Sequence, residues 1–235
     1  MKTIGLLGSM SWESTQTYYQ LLNEGVKEKL GGLHSAKIIL FSVDFDTIEK
    51  LQRESKWIDA GNLLAQNAKS LELAGVDFIL ICTNTMHKVI DIIQKNINIP
   101  IVHIADATSK IMKKEGARKS ILLGTRFTMQ EDFNKKVIES YGIQVVTPSQ
   151  KQIEIIDKII FHELVLGKIN PQSKKEYIAI LNELCIMHKD IDSVILGCTE
   201  IGLLINQNDI NLKIFDTTVL HVKEALNLAI YNKEK

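Results

Sequence analysis

The 235-residue chain carries 28 basic and 28 acidic side chains, which cancel to a formal net charge of zero, and 45% of its residues are hydrophobic. This length suits one large α/β domain or two of about 100 residues each, and the balanced charge, with neither a basic stripe nor an acidic tail, argues against a nucleic-acid or membrane-surface partner. No apolar run approaches the roughly 18 residues of a membrane span, and "MKTIGLLGSM" enters a glycine turn too early for a signal peptide, so a cytoplasmic protein with no membrane partner is expected.

In chain order, β-rich runs are read at "TIGLLG" (3–8), "KIILFSV" (37–43), "FILICT" (78–83), "IVHI" (101–104), "SILLGT" (120–125), "QVVTP" (144–148), "SVILGC" (193–198) and "KIFDT" (213–217). Most are apolar on both faces, as buried parallel strands are. Amphipathic stretches lie between them; "IDAGNLLAQNAKSLELAG" (58–75) and "KKEYIAILNELCIMHK" (174–189) show apolar residues at three- and four-residue spacing and read as helices. The alternation implies an α/β fold with parallel sheets joined by crossover helices. The turn "GLLGSM" lacks a full GxGxxG pattern, and no acidic residue closes the second strand, so a dinucleotide site is not expected.

The chain repeats itself. "IGLLGS" (4–9) is echoed by "ILLGTR" (121–126), and "GVDFILICTNT" by "DIDSVILGCTE". Two similar halves follow, each ending its third strand in a cluster of small polar residues, "CTNT" and "GCTE". Parallel α/β sheets bind ligands at the carboxyl ends of their strands, where free N–H groups of a following helix can hold an anion, so a cleft between the halves is the expected site.

Aligned from Asp77 and Asp192 without a gap, the two stretches set Cys82 opposite Gly197, Thr83 opposite Cys198, Asn84 opposite Thr199 and Thr85 opposite Glu200. Side chains alternate along a strand. Thr83 therefore shares the side of Cys198 and Cys82 points away, unless a one-residue bulge brings Cys82 round instead.

The three cysteines, Cys82, Cys185 and Cys198, have no CxxC spacing and no histidine at ligand spacing, so free thiols are expected rather than disulfides or a metal site. Cys185 lies in the apolar stripe of a helix and reads as a small buried hydrophobe. His87 and His103 read as structural hydrogen-bonding groups near strand ends, and Trp12 as a lid or a core residue at a helix start.

The paired motifs, together with "IGLLGSMSWEST", "YYQLLNEG", "HIADAT" and "LLGTRFTM", resemble the aspartate/glutamate racemase family of the Asp/Glu/hydantoin racemase superfamily. The likeness spans essentially the whole chain and is greatest to the L-aspartate/glutamate-specific branch. It implies two Rossmann-like parallel-sheet domains related by pseudo-two-fold symmetry, the second inserted in the first: residues 1–100 with 213–235, and residues 101–212. The last helix, "HVKEALNLAIYN" (221–232), would return to the first domain. The resemblance also implies no cofactor, a homodimer, and two opposed catalytic residues, usually cysteines, acting on L-aspartate or L-glutamate. Matching the "NT" of the relatives' "CNT" places Thr83 at the cysteine position.

An amino-acid α-proton is a very weak acid. Without pyridoxal phosphate the protein must supply a reactive base, a dry site and donors for the carboxylate. Cys198, before an expected helix at "TEIGLL", suits the base, with its thiol tuned downward by the helix start. Thr83 is the weaker catalytic partner, since a hydroxyl does not readily become an anionic base. Asn84, Thr85 and Thr199 are expected to cradle the α-carboxylate, with Glu200 near the ammonium group. Met10 and Ser11, in the loop after the first strand, and Gln52 stand where relatives contact the side-chain end of the substrate. Relatives bring a lysine from the helix at "IIFHELVLGK"; here Val165 takes its place, leaving Gln52, Arg53 or Lys168 for the distal carboxylate. Hydantoin racemisation, maleate isomerisation, malonate decarboxylation, or a protein that binds an acidic amino acid without turnover are the alternatives, which fold does not separate.

Overall fold

The computed structural model describes residues 1–230. Each of the eight expected strands forms: β1 Ile4–Gly8, β2 Ile38–Ser42, β3 Phe78–Ile81, β4 Ile101–Val102, β5 Lys119–Gly124, β6 Gln144–Val146, β7 Ser193–Gly197 and β8 Lys213–Asp216. They assemble into two four-stranded sheets, β2-β1-β3-β4 and β6-β5-β7-β8, with every neighbouring pair parallel. The two sheets have the same connectivity. The chain is therefore an α/β protein of two similar parallel-sheet units.

One unit holds Met1–Ile104 and, among the described residues, the chain from His221 to Ile230; the other is Ala105–Leu220. The expected boundaries at 100/101 and 212/213 give β4 to the second domain and β8 to the first. Backbone pairing decides otherwise: β4 extends the first sheet beside β3, and β8 extends the second beside β7. The final helix is Thr217–Ile230, and the last two residues of the expected 221–232 helix lie outside the described residues.

In the first unit, Leu7, Ile79 and Ile81 face a core completed by Leu64, Ala68 and Leu71 of the helix Trp57–Leu73. On the opposite face Ile4, Leu6, Phe78 and Leu80 meet Tyr18, Leu22 and Val26 of the helix Trp12–Leu30 and Val222, Ala225 and Leu226 of the final helix. The second unit repeats this. Ile121, Leu123, Val194 and Leu196 pack on Ile156, Ile160, Tyr177 and Leu181, while Leu122, Ile195 and Phe215 pack on Ala105, Met112 and Ile138. Burial on both faces explains why these strands read as continuous apolar runs rather than alternating ones.

Two neighbouring strands of the second sheet leave no room for a side chain at one point. Gly124 and Gly197 are partners across β5 and β7, and a Cβ at Gly197 would stand 2.8 Å from the Leu123 carbonyl.

Among the described residues no helix is long and apolar enough to cross a membrane.

Candidate active site

In a parallel sheet the carboxyl ends of all strands lie along one edge, so the loops after β1 and β3 are neighbours. Leu7 pairs with Ile81 in the first unit, and Leu123 with Leu196 in the second. Starting from the matching glycines Gly8 and Gly124, these pairings set Ile81 against Leu196, Cys82 against Gly197 and Thr83 against Cys198. The gap-free alignment from Asp77 and Asp192 gives the same correspondence.

The faces agree as well. Cys82 is fully buried and continues the row of Phe78 and Leu80 into the core with Tyr18 and Leu22. Its carbonyl accepts a hydrogen bond from Ser14 Oγ at 2.8 Å, and burial pushes its thiol far above the ordinary range, with the Thr15 side chain only partly offsetting this. Such a thiol is chemically quiet. Thr83 is half-buried, one position further on. No bulge brings Cys82 round to the side of Thr83. Substituting Cys82 by alanine is expected to cost about 1 kcal/mol of stability, through the small void it leaves, and to leave turnover within about two-fold; urea unfolding and steady-state kinetics check both.

The β1 loop is pinned against the same end of the sheet. Ser9 has a left-handed φ of 66°, its N–H donates to Thr15 Oγ1 at 2.7 Å, and its hydroxyl is 2.7 Å from that of Ser42. Met10 and Ser11 follow, both buried, and Ser11 caps the helix Trp12–Leu30 by accepting from the Ser14 N–H. Trp12, the first residue of that helix, is largely exposed. Gln52, on the helix Phe45–Arg53, is buried with its amide donating to the sulfur of Met86 at 3.0 Å. Met10, Ser11, Gln52, Thr83, Asn84 and Thr85 thus belong to the first unit, and Asn84 and Thr85 are buried.

The second unit supplies Cys198, Thr199 and Glu200. The buried Glu200 carboxylate accepts from the Cys198 thiol at 3.0 Å and from the Thr199 hydroxyl at 2.6 Å, on the same oxygen. Burial first, and then the negative charge of Glu200, push the Cys198 thiol well above its ordinary range. This reverses the expected downward tuning. The helix beyond the motif is a single turn, Ile201–Leu204, too short for a strong dipole, whereas the carboxylate is in direct contact. Resting Cys198 is a protonated thiol donating to Glu200.

Two residues that sequence reasoning missed also surround this thiol. Tyr177, buried on the helix Pro171–Met187, and Asp157, on the helix Gln150–His162, both interact electrostatically with Cys198. Asp157 accepts from the Arg126 N–H at 2.7 Å and lines a cleft of about 330 Å³ with Arg126, Gln150 and Lys158. Their sequence positions carry no motif, since only helix packing brings them near.

Of the three candidates for a distal carboxylate, Gln52 is buried, whereas the two cations lie at the surface. Val165 packs partly buried against the second unit's core, Lys168 is exposed beyond Gly167, and Arg53 is exposed with Glu49 at 3.6 Å. Among the described residues no cluster of three or more His, Cys, Asp or Glu could hold a metal ion.

Residues 7–225 match the model of the Asp/Glu/Hydantoin racemase family. The chain belongs to that family. Its fold is similar to the crystal structure of a proposed Asp/Glu racemase from Yersinia pestis, at 46% identity over 98% of this chain and 100% of that one, with a TM-score of 0.89. An aspartate racemase homologue from Pyrococcus horikoshii OT3 is 37% identical over 97% and 99% of the two chains, with a TM-score of 0.83. The broad specificity amino-acid racemase RacX of Bacillus subtilis (strain 168) is 26% identical over 167 residues, 70% of either chain. As a member of this family the protein is an isomerase of the amino-acid racemase type, a class that operates without pyridoxal phosphate.

Proposed function

We propose that the protein racemises aspartate or glutamate, with Cys198 and Thr83 serving opposite faces of one α-carbon and the L-enantiomer reacting faster. The observation that carries this reading is the equivalence of Thr83 and Cys198 at the ends of β3 and β7 in two units of identical topology.

Glu200 gives the chemistry its starting point. The substrate ammonium pairs with the Glu200 carboxylate, and the added positive charge lowers the cost of ionising the adjacent thiol. Cys198 loses its proton to solvent, and the resulting thiolate removes the α-proton of the L-enantiomer. The carboxylate, held by donors from Thr83, Asn84, Thr85 and Thr199, takes on the enolate-like charge. Thr83 returns a proton on the other face. A threonine hydroxyl is a far weaker acid than a thiol, so this second transfer is slow, and the reverse abstraction slower still.

Met10, Ser11 and Gln52 line the region of the side-chain end. The buried Gln52 amide, rather than a cation, is the polar group there, which favours recognition of a short acidic side chain by hydrogen bonding.

Changing Thr83 to cysteine tests the assignment. Exchange of the α-proton in deuterated buffer, followed by NMR from each enantiomer separately, is expected to rise from the D-enantiomer by about ten-fold or more and to change little from the L-enantiomer. Unchanged D-side exchange would count against Thr83. Binding of L-aspartate and L-glutamate without any deuterium incorporation in the unaltered protein would identify a binding protein instead.

A further inference from the structure

We propose that His87 is a positioning residue for Thr83, its neutral imidazole fixing the Thr83 carbonyl and so the direction in which the Thr83 hydroxyl points. The inference deepens the racemase reading and rests on it.

The hydrogen-bond partners of His87 determine its tautomer. His87 Nδ1 lies 2.9 Å from the Thr83 carbonyl oxygen, and the Ile104 N–H points at Nε2 from 3.2 Å. A carbonyl only accepts and an amide N–H only donates. Nδ1 therefore carries the hydrogen and Nε2 does not, and both ring nitrogens are occupied in a neutral ring that is almost completely buried. Adding a proton would require Nε2 to give up Ile104.

A second histidine reinforces the arrangement from the other side. His221 Nε2 lies 2.8 Å from the Val102 carbonyl, so it donates there, and Nδ1 accepts from the Tyr18 hydroxyl at 2.7 Å. Its ring centroid is 5.9 Å from that of His87, and the ring of His103 is 4.8 Å from His87. Val102 and Ile104, which flank His103, are thus each held by one imidazole. These bonds fix the segment where the chain leaves the first unit, and through His87 they fix the loop that bears Thr83.

β3 ends at Ile81 and the Cys82 N–H still bonds the Leu7 carbonyl at 3.0 Å, so Thr83 is the first residue past the ladder's last bond to β1. The His87 bond takes over from the ladder at the carbonyl. Freed of it, the Thr83 peptide rotates, and a misplacement of about 1 Å at a reacting group costs on the order of 10²-fold in rate. Cys198 belongs to the other unit, where its thiol donates to Glu200.

Two substitutions separate the halves of the imidazole. Asparagine places an amide N–H at the same number of bonds from Cβ as Nδ1 and keeps the donor to Thr83. Glutamine places its amide at the distance of Nε2 and can serve Ile104 while losing Thr83. His87→Gln is expected to lower α-proton exchange from the D-enantiomer by about ten-fold or more relative to exchange from the L-enantiomer, whereas His87→Asn keeps that ratio within about three-fold of the unaltered protein. Equal losses from both enantiomers, or the same ratio in both variants, would overturn the proposal. A measurement on the unaltered protein stands apart from turnover and from variant folding: ¹⁵N–¹H NMR of the imidazole nitrogens is expected to show His87 as the Nδ1–H tautomer at neutral pH. An Nε2–H tautomer overturns the positioning role even if racemisation is confirmed, and absence of exchange with the expected tautomer overturns the racemase reading and the positioning role together.

Discussion

Replacement of Cys198 by alanine is expected to reduce α-proton exchange from L-aspartate and L-glutamate by at least about 10²-fold, the lower end of what a positioned base contributes. The loss should appear in kcat, with KM little changed, because substrate carboxylate and ammonium contacts are assigned to other groups. The fold should survive. Cys198 only borders the core of the second unit, and Glu200 keeps the Thr199 hydroxyl as a donor. Deuterium incorporation followed by NMR, alongside circular dichroism, distinguishes the two effects. In the unaltered protein the rate should climb with pH into the alkaline range, because burial and Glu200 hold the thiol protonated at neutrality. Exchange that persists in Cys198→Ala at the original rate would remove the thiol from the chemistry altogether.

Acid is expected to destabilise the first unit before the carboxylates titrate. Burial lowers His221 to about 3 and takes His87 well below its ordinary value, with the neighbouring histidines adding to the effect. In the unfolded chain both titrate near about 6.5. Below that pH the unfolded state binds protons that the folded state refuses, so stability is complete above about 6.5 and falls as the pH drops toward the folded values. For His221 the loss between pH 7 and pH 5 is about 2 kcal/mol, and His87 adds a loss of the same sign. Set against a typical total of roughly 5–15 kcal/mol, this is large. Asp157 and Asp216, whose carboxyls burial raises, act in the opposite sense. Urea unfolding at pH 7 and pH 5, compared between the unaltered protein and His221→Gln, isolates the imidazole: the pH dependence should shrink by about 2 kcal/mol in the variant. An equal pH dependence in the unaltered protein and in His221→Gln would show that this ring is not held neutral.

The same buried imidazoles show where sequence reading stops. His87 and His103 read from sequence as hydrogen-bonding structural groups near strand ends, and His87 indeed bonds backbone groups on both ring nitrogens. Its partners are Thr83, four residues earlier, and Ile104, seventeen residues later. The first lies within the motif itself, but the second and the approach of His221 exist only once β4 and the final helix have packed. Periodicity carries no information about such pairs.

Strand positions, the α/β class, the two-fold repeat and the Thr83–Cys198 correspondence were all legible in the chain itself, because alternation and apolar patterning are local properties that burial of a parallel sheet enforces residue by residue. What only tertiary structure decided were matters of neighbourhood. Backbone pairing, rather than composition, gave β4 and β8 to their sheets. The sense of the Cys198 shift turned on a carboxylate 3.0 Å away and a helix of one turn, where the residues alone promised a helix dipole. Electrostatic effects depend on distance and solvent exclusion, which a linear order of residues does not contain.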